Sequence, residues 1–246
     1  MSDIFSNRFV RFFGTSMTDG DFASPKDPEQ WSLHRERLLQ CIRVKTDIAM
    51  EAIGVAQLVH GTKIQQVGLN RTELLSLETD GLVSAIPRSA LVVTGADCPA
   101  VFVWDQGNQA MGLVHSGRKG TESNIVLVLL KEMRDRFGTK VEQASVCIGP
   151  GICGSHYAVP KDMAQSFLRF GSDVCMERDG KWYLDLRVTI RGQLIQAGVP
   201  RSRIQTSFEC TFEATDRLHS YRRDRQMGIL DEKARPRVTA YIAVMV

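Results

Sequence analysis

The sequence predicts one α+β domain spanning residues 1–246, layered α/β/α, with a mixed β-sheet or sandwich flanked by helices. Three observations predict it. Between residues 53 and 115, short runs rich in β-branched and apolar residues follow one another with no helical stretch between them. Helices with recognisable caps and stops lie outside that run, and strands in series with segregated helices make α+β layers rather than a regular βαβ alternation. Finally, 246 residues at 43% hydrophobic content suffice for one continuous core, and no repeat or low-complexity linker divides them.

The elements can be justified in chain order. RFVRFF reads as a strand. Asp27-Pro28-Glu29-Gln30 combines an N-cap, a proline suited to the first helical position and a capping-box glutamine; the helix through WSLHRERLLQCI then buries Trp31, Leu38, Leu39 and Ile42. GVAQLV, KIQQV, GLVSA, ALVVT, AVFVW and AMGLV are strands by composition and alternation. After Gly120 a helix buries Val126, Leu129, Leu130, Met133 and Phe137 and stops at Gly138. ASVCI is a strand, a helix runs from near Pro160 to Gly171, and KWYLD is a strand. Asp185 caps a helix with Leu186, Ile190, Leu194 and Ala197 at helical spacing, ended by Gly198 and Pro200, and VTAYIAVMV closes the chain as a strand.

Composition excludes several functions. No run of about 18 apolar residues could span a bilayer, and the N-terminus lacks the basic-then-apolar pattern of a secretion signal. A cytoplasmic protein without membrane partners is expected. The net charge of +3 comes from bases interspersed with acids, which argues against a nucleic-acid partner and leaves room for a local anion pocket. Six cysteines are too sparse for a disulfide-stapled secreted scaffold, so thiols are available as ligands or nucleophiles. A monomer or weak homo-oligomer is expected.

Three apolar strands deliver a metal-ligand residue at their ends. GVAQLV runs into His60-Gly61, ALVVTGAD into Cys98-Pro99, and AMGLV into His115-Ser116-Gly117. Converging strand ends would assemble a His-Cys-His set, and three protein ligands leave the fourth tetrahedral position open, as in catalytic zinc sites. The separations of 38 and 17 residues match no local zinc-finger spacing. Packing of two strand-end histidines and a buried thiol therefore stays open as the alternative. Asp97, beside Cys98, is a candidate to orient or deprotonate a water on such a metal, or else an Asx-turn or supporting hydrogen-bond acceptor. Gly117 and Lys119 lead into a helix whose N-terminus suits an anion. Arg222 in SYRRD is a candidate phosphate or carboxylate clamp, with Arg223 a weaker one. Gly149, opening Gly149-Pro150-Gly151-Ile152-Cys153-Gly154, could begin a backbone anion nest or simply a turn. Cys153 and His156 form a C-x-x-H pair.

Seven segments, QLVHG, TDGLVSA, GADCPAVFV, GLVHSGRKG, IGPGICGSHY, YLDLRVTIRGQLIQAGV and HSYRRD, resemble in order and spacing the blocks of the YfiH-like family, also labelled multicopper polyphenol oxidase or laccase-domain proteins. The resemblance runs from about residue 30 to the C-terminus. It implies a single α/β domain and zinc held by His60, Cys98 and His115, which match the histidine, cysteine and histidine of the family's QVHG, ADC and HAGWRG blocks. It also implies activity on purine nucleosides with phosphate: phosphorolysis of adenosine, inosine, guanosine and methylthioadenosine, and hydrolytic deamination of adenosine, for which a metal that lowers the pKa of a water is suited. Copper is disfavoured relative to zinc, because multicopper centres draw on many histidines, often as His-x-His, whereas this chain has five and no such pair. Two departures bear on substrate: Arg118-Lys119 stands where the family has Trp-Arg, and the N-terminal STR-x-GG segment appears as Thr15-Ser16-Met17-Thr18-Asp19-Gly20. Two other functions remain open here. One is an amide hydrolase editing a UDP-N-acetylmuramoyl-amino acid in peptidoglycan synthesis, with Cys98 as nucleophile or ligand. The other is a non-catalytic zinc protein whose ion is closed by Cys153 or His156.

Overall fold

The computed structural model describes residues 2–23, 28–68, 74–231, 234 and 236–246. In chain order these form β1 (Ser2–Ser6), β2 (Val10–Gly14), α1 (Pro28–Thr46), β3 (Ala52–Gln57), β4 (Ile64–Gln66), β5 (Leu74–Glu78), β6 (Gly81–Ser84), β7 (Ser89–Gly95), β8 (Ala100–Asp105) and β9 (Ala110–His115). There follow α2 (Arg118–Glu122), α3 (Ile125–Phe137), β10 (Ser145–Ile148), β11 (Ala158–Val159), α4 (Lys161–Phe167), β12 (Cys175–Arg178), β13 (Lys181–Leu184), α5 (Leu186–Gln196), β14 (Ile204–Thr206), α6 (Tyr221–Gln226) and β15 (Thr239–Met245). Among the described residues, no helix is long and apolar enough to cross a membrane.

Two mixed six-stranded sheets, ordered β1-β2-β15-β7-β3-β5 and β14-β10-β8-β9-β6-β4, carry the fold, with a small sheet β11-β13-β12 beside them. The central strands are apolar on both faces, as expected of strands covered on both sides. Phe12, Leu91, Val93, Phe102, Trp104, Met111, Leu113 and Tyr241 fill one core shared by the two sheets. The alternate residues of the first sheet, Ile53, Val55, Val92, Ile242 and Val244, pack with Leu38 and Ile42 of α1. Those of the second, Val101, Val103 and Val114, pack with Leu129 and Met133 of α3 and Ile190 and Leu194 of α5. The layers are thus helix, sheet, sheet, helix: the sandwich form of the expected architecture, rather than a single sheet. Gly112 on β9 lets α3 approach, since a Cβ there would lie 2.8 Å from both Leu129 Cδ1 and Met133 Sδ.

The expected helix ends are present where they are described, except that Gly120 lies inside α2 and the helix expected after it begins at Ile125, beyond a left-handed Asn124 at φ +59°. Asp185 caps α5 by accepting from the N–H groups of Arg187 and Val188, and Gly138 ends α3 at φ +72°. Asp27 lies outside the described residues, as does the Trp31 side chain. The β8–β9 hairpin pairs Ala100 with His115, which brings the chain around Cys98 against the end of β9.

Candidate metal centre

His115 ends β9, whereas His60 and Cys98 each lie three residues beyond their strands, in the turns that follow β3 and β7. The reading of three strand-end ligands therefore holds strictly for His115 and is displaced by a short turn for the other two. The turns still bring both His60 and Cys98 to His115, although the three ligand atoms do not all lie within 4.8 Å of one another. The His60 and His115 rings lie edge to face with centroids 5.3 Å apart. At Gly117 a Cβ would fall 2.8 Å from Cys98 Sγ and 3.3 Å from His115 Nε2, so the thiol and that imidazole nitrogen border one small space that only glycine leaves free.

The residue that organises this meeting is Asp80, which sequence reasoning missed. It is fully buried just before β6. Its Oδ1 accepts the His60 N–H at 2.9 Å and its Oδ2 the Gly61 N–H at 2.6 Å. Oδ1 also faces His115 Nδ1 at 3.5 Å, and the Asp80 carbonyl accepts the His115 N–H at 2.8 Å. One carboxylate therefore holds the His60 turn, at φ +59°, and directs His115 so that Nε2 faces Cys98. This is how a supporting carboxylate orients a metal-bound imidazole.

The electrostatics agree. Burial opposes a charge on His115, yet the Cys98 sulfur and Asp80 overcome it and push its pKa up to about 9. Burial, then the His115 charge and that of Lys119, lower the pKa of His60. Burial opposes ionisation of Asp80, but the hydrogen bonds from His115, Gly61 and His60 hold it below the ordinary carboxylate value.

The other candidates take more varied places. The Asp97 carboxylate is engaged by three donors: the Thr211 hydroxyl at 2.7 Å, the Ser220 hydroxyl at 2.6 Å and the Arg222 N–H at 2.7 Å. Asp97 thereby anchors the segment leading into α6, the supporting-acceptor alternative of the sequence analysis. Arg222 lies 5.1 Å over the Tyr157 ring and gives Nη1 to the Ala158 carbonyl at 2.9 Å. Burial and then Cys98 raise the Tyr157 pKa, while Arg222 and Arg118 oppose them. Arg223 is buried and donates to the Thr211 and Leu218 carbonyls, which makes it a loop clamp.

Two expectations require correction. The helix after Gly117 is α2, five residues long and exposed at Lys119, so it supplies little dipole; Lys119 acts as a point charge near His60. The Gly149 segment is a satisfied turn rather than an open anion nest. Its N–H groups at Gly149, Ile152, Cys153 and Gly154 are taken by the Ala100 carbonyl, the Asp97 carbonyl, Cys210 Sγ and Asp185 Oδ2.

Cys153 and His156 join Cys210 and Glu213, and the ligand atoms of these four all lie within 4.8 Å of one another. A cavity of about 610 Å³ opens between α5 and β14, lined by Arg187, Arg191, Gln205 and Phe208 among others; none of the candidate ligands lines it.

Fold and site together define an α+β double-sheet protein in which two histidines and a cysteine gather around a buried, imidazole-orienting carboxylate. Residues 16–231 match the family model described as multi-copper polyphenol oxidoreductase laccase, and the chain belongs to this family, the YfiH-like proteins. It is 32% identical over 149 residues to a purine nucleoside phosphorylase of Bacteroides thetaiotaomicron, covering 58% of this chain and 55% of that one, so the match spans about half of that relative's length. It is 28% identical over 243 residues to a purine nucleoside phosphorylase of Corynebacterium glutamicum, covering 91% and 95% of the two chains. The crystal structure of YlmD from Geobacillus stearothermophilus shares the fold, with a TM-score of 0.81 and 22% identity over 99% of both chains. The family's description does not fit the histidines present. His34 packs edge-on to Phe22, His219 is buried near Gly20, and His156 lies in the second cluster, which leaves two imidazoles for a centre that would need several.

Proposed function

We propose that the protein is a purine nucleoside enzyme whose zinc is held by His60, Cys98 and His115. It would catalyse phosphorolysis of adenosine, inosine, guanosine and methylthioadenosine, with hydrolytic deamination of adenosine at the same site. The observation that carries the reading is the placing of the Cys98 thiol beside the Asp80-held His115, with the His60 ring edge-on to that same imidazole, in a chain whose relatives are named purine nucleoside phosphorylase.

The donor set supports zinc on its chemistry. A thiolate and two imidazoles suit a borderline ion, and three protein donors leave a position for substrate. His60 is exposed, so its ring can turn toward the ion without disturbing the core. Bound zinc supplies Lewis-acid stabilisation of charge that develops on the substrate.

The remaining roles belong to the chain's own side chains. Asp80 fixes the tautomer and direction of His115, whose pKa is pushed up to about 9, so zinc would bind there in competition with a proton. Phosphorolysis joins a phosphate oxygen to the ribose C1′ and breaks the bond to the purine nitrogen, which leaves with the bonding electrons and takes up a proton. Dianionic phosphate needs fixed cations, and Arg222, held over the Tyr157 ring, is assigned to it with Lys119 as a second positive charge. Asp97 is a positioning residue for Arg222 through its backbone N–H. Gly117 is required for its lack of a side chain, and Gly149 is given no anion-binding part.

The test is incubation of zinc-replete protein with each nucleoside and inorganic phosphate, followed by chromatography. Free base with ribose 1-phosphate is expected (5-methylthioribose 1-phosphate from methylthioadenosine), and inosine with ammonia from the deamination of adenosine. Absence of every one of these products refutes the purine assignment.

A further inference from the structure

The loop after β10 and the segment after β14 each close one tight turn. In the first, the His156 N–H reaches the Cys153 carbonyl at 3.0 Å; in the second, the Glu213 N–H reaches the Cys210 carbonyl at 3.1 Å. Each turn places a ligand-bearing side chain three residues from a cysteine, and the two turns face each other. His156 Nδ1 is 3.1 Å from Cys153 Sγ, 3.8 Å from Cys210 Sγ and 3.5 Å from Glu213 Oε1. The backbones are docked by a bridge between Gly151 and Cys210 and by the Cys153 N–H on Cys210 Sγ at 3.3 Å. The His156 ring stacks on Phe212 at 4.5 Å, which fixes its plane.

We propose that Cys153, His156, Cys210 and Glu213 form a second metal site, distinct from His60–Cys98–His115, which binds zinc and staples the two turns together. Two thiolates and an imidazole select zinc over magnesium or calcium. Four protein ligands leave no open position, so the ion is structural. Cys210 is buried, whereas the Glu213 side chain is 62% exposed and can settle onto the ion without disturbing the packing.

The staple bears on the first site through Asp97. Thr211, next to Cys210, donates to the Asp97 carboxylate, and Ile152, next to Cys153, donates to the Asp97 carbonyl. Both stapled turns therefore grip the residue that precedes Cys98.

The test uses the full chain carrying Cys98→Ser, which removes the thiolate of the first site so that any remaining thiolate-bound metal reports the second. The protein is stripped with chelator under reducing conditions and titrated with Co²⁺. The expected result is one equivalent with a thiolate charge-transfer band and the strong visible bands of tetrahedral Co²⁺. These are lost when His156→Ala is added, and Co²⁺ affinity falls tenfold or more with Glu213→Gln, an exposed substitution that leaves folding intact. Absence of a thiolate-bound Co²⁺ spectrum overturns the proposal. So does a spectrum and affinity unchanged by both His156→Ala and Glu213→Gln, or an intact mass showing a Cys153–Cys210 disulfide that persists in reductant.

Discussion

Asp80→Asn is the substitution that probes the organisation of the site most sharply. It changes no volume, yet it removes the charge from an acceptor that takes two backbone N–H groups at 2.9 and 2.6 Å and faces His115 at 3.5 Å. The asparagine amide must place its NH₂ either where Oδ2 accepts the Gly61 N–H or where Oδ1 accepts the His60 N–H and faces His115. One donor therefore meets a donor, or His115 loses its acceptor. A hydrogen bond to a charged group is worth about 1.5–3 kcal/mol, so a loss of about 2 kcal/mol of stability is expected, which is roughly 4–8 °C in Tm for a chain of this size. Removing the partner of a metal-bound imidazole lowers metal affinity about 10–100-fold. Zinc affinity by competition with a chromophoric chelator, alongside thermal unfolding of the stripped protein, measures both effects. Zinc affinity within threefold of the parent would refute the role given to Asp80.

Other substitutions and conditions give further outcomes. Gly117→Ala fits the backbone, at φ −70°, but sets a methyl 2.8 Å from Cys98 Sγ; overpacking of about 1–3 kcal/mol and at least tenfold weaker zinc binding are expected, read by unfolding and chelator competition. Asp97→Asn should cost about 2 kcal/mol in urea unfolding, because three donors lose a charged acceptor; a change under about 0.5 kcal/mol contradicts the anchoring role. For the metal-free protein, the His115 pKa is raised from 6.5 to about 9. Its contribution, up to about 3 kcal/mol, is complete below pH 6.5 and lost as pH rises through about 9. A Tm series over that range should fall in the stripped protein and stay flatter with zinc bound; equal profiles contradict it. Arg222→Ala keeps the backbone N–H on Asp97 and should raise the KM for phosphate tenfold or more with a smaller effect on kcat, whereas an unchanged phosphate KM removes Arg222 from the anion site.

The fold was legible where a physical rule operates within a few residues. The double-faced apolar runs of β7, β8, β9 and β15 and the Asp185 cap of α5 are of this kind. β1, β11, β12 and β14 were missed because they are short or polar and owe their pairing to distant partners, and β5 was missed although apolar, its leucine-rich run lacking the β-branched residues that mark its neighbours. α6 was missed because YRRDRQ has no apolar stripe, its Ser220 cap being tied to Asp97 far away in the chain. In the site, His60, Cys98 and His115 stood out by chemistry and block order. Asp80 did not, although it lies within TDGLVSA, because a carboxylate before a strand has the same local signature whether it caps a turn or holds an imidazole. Cys153 and His156 were visible as a pair. Their partners were not, since Cys210 reaches Cys153 through long-range contacts, the bridge at Gly151 and the Cys153 N–H on Cys210 Sγ.

The most direct test of the central claim is anomalous diffraction at the zinc edge from crystals of the zinc-loaded protein. The account predicts an anomalous peak bonded to His60, Cys98 Sγ and His115 Nε2, with no fourth protein ligand. A zinc-loaded crystal with no peak among those three residues, or with a peak there closed by a fourth protein side chain, would contradict it.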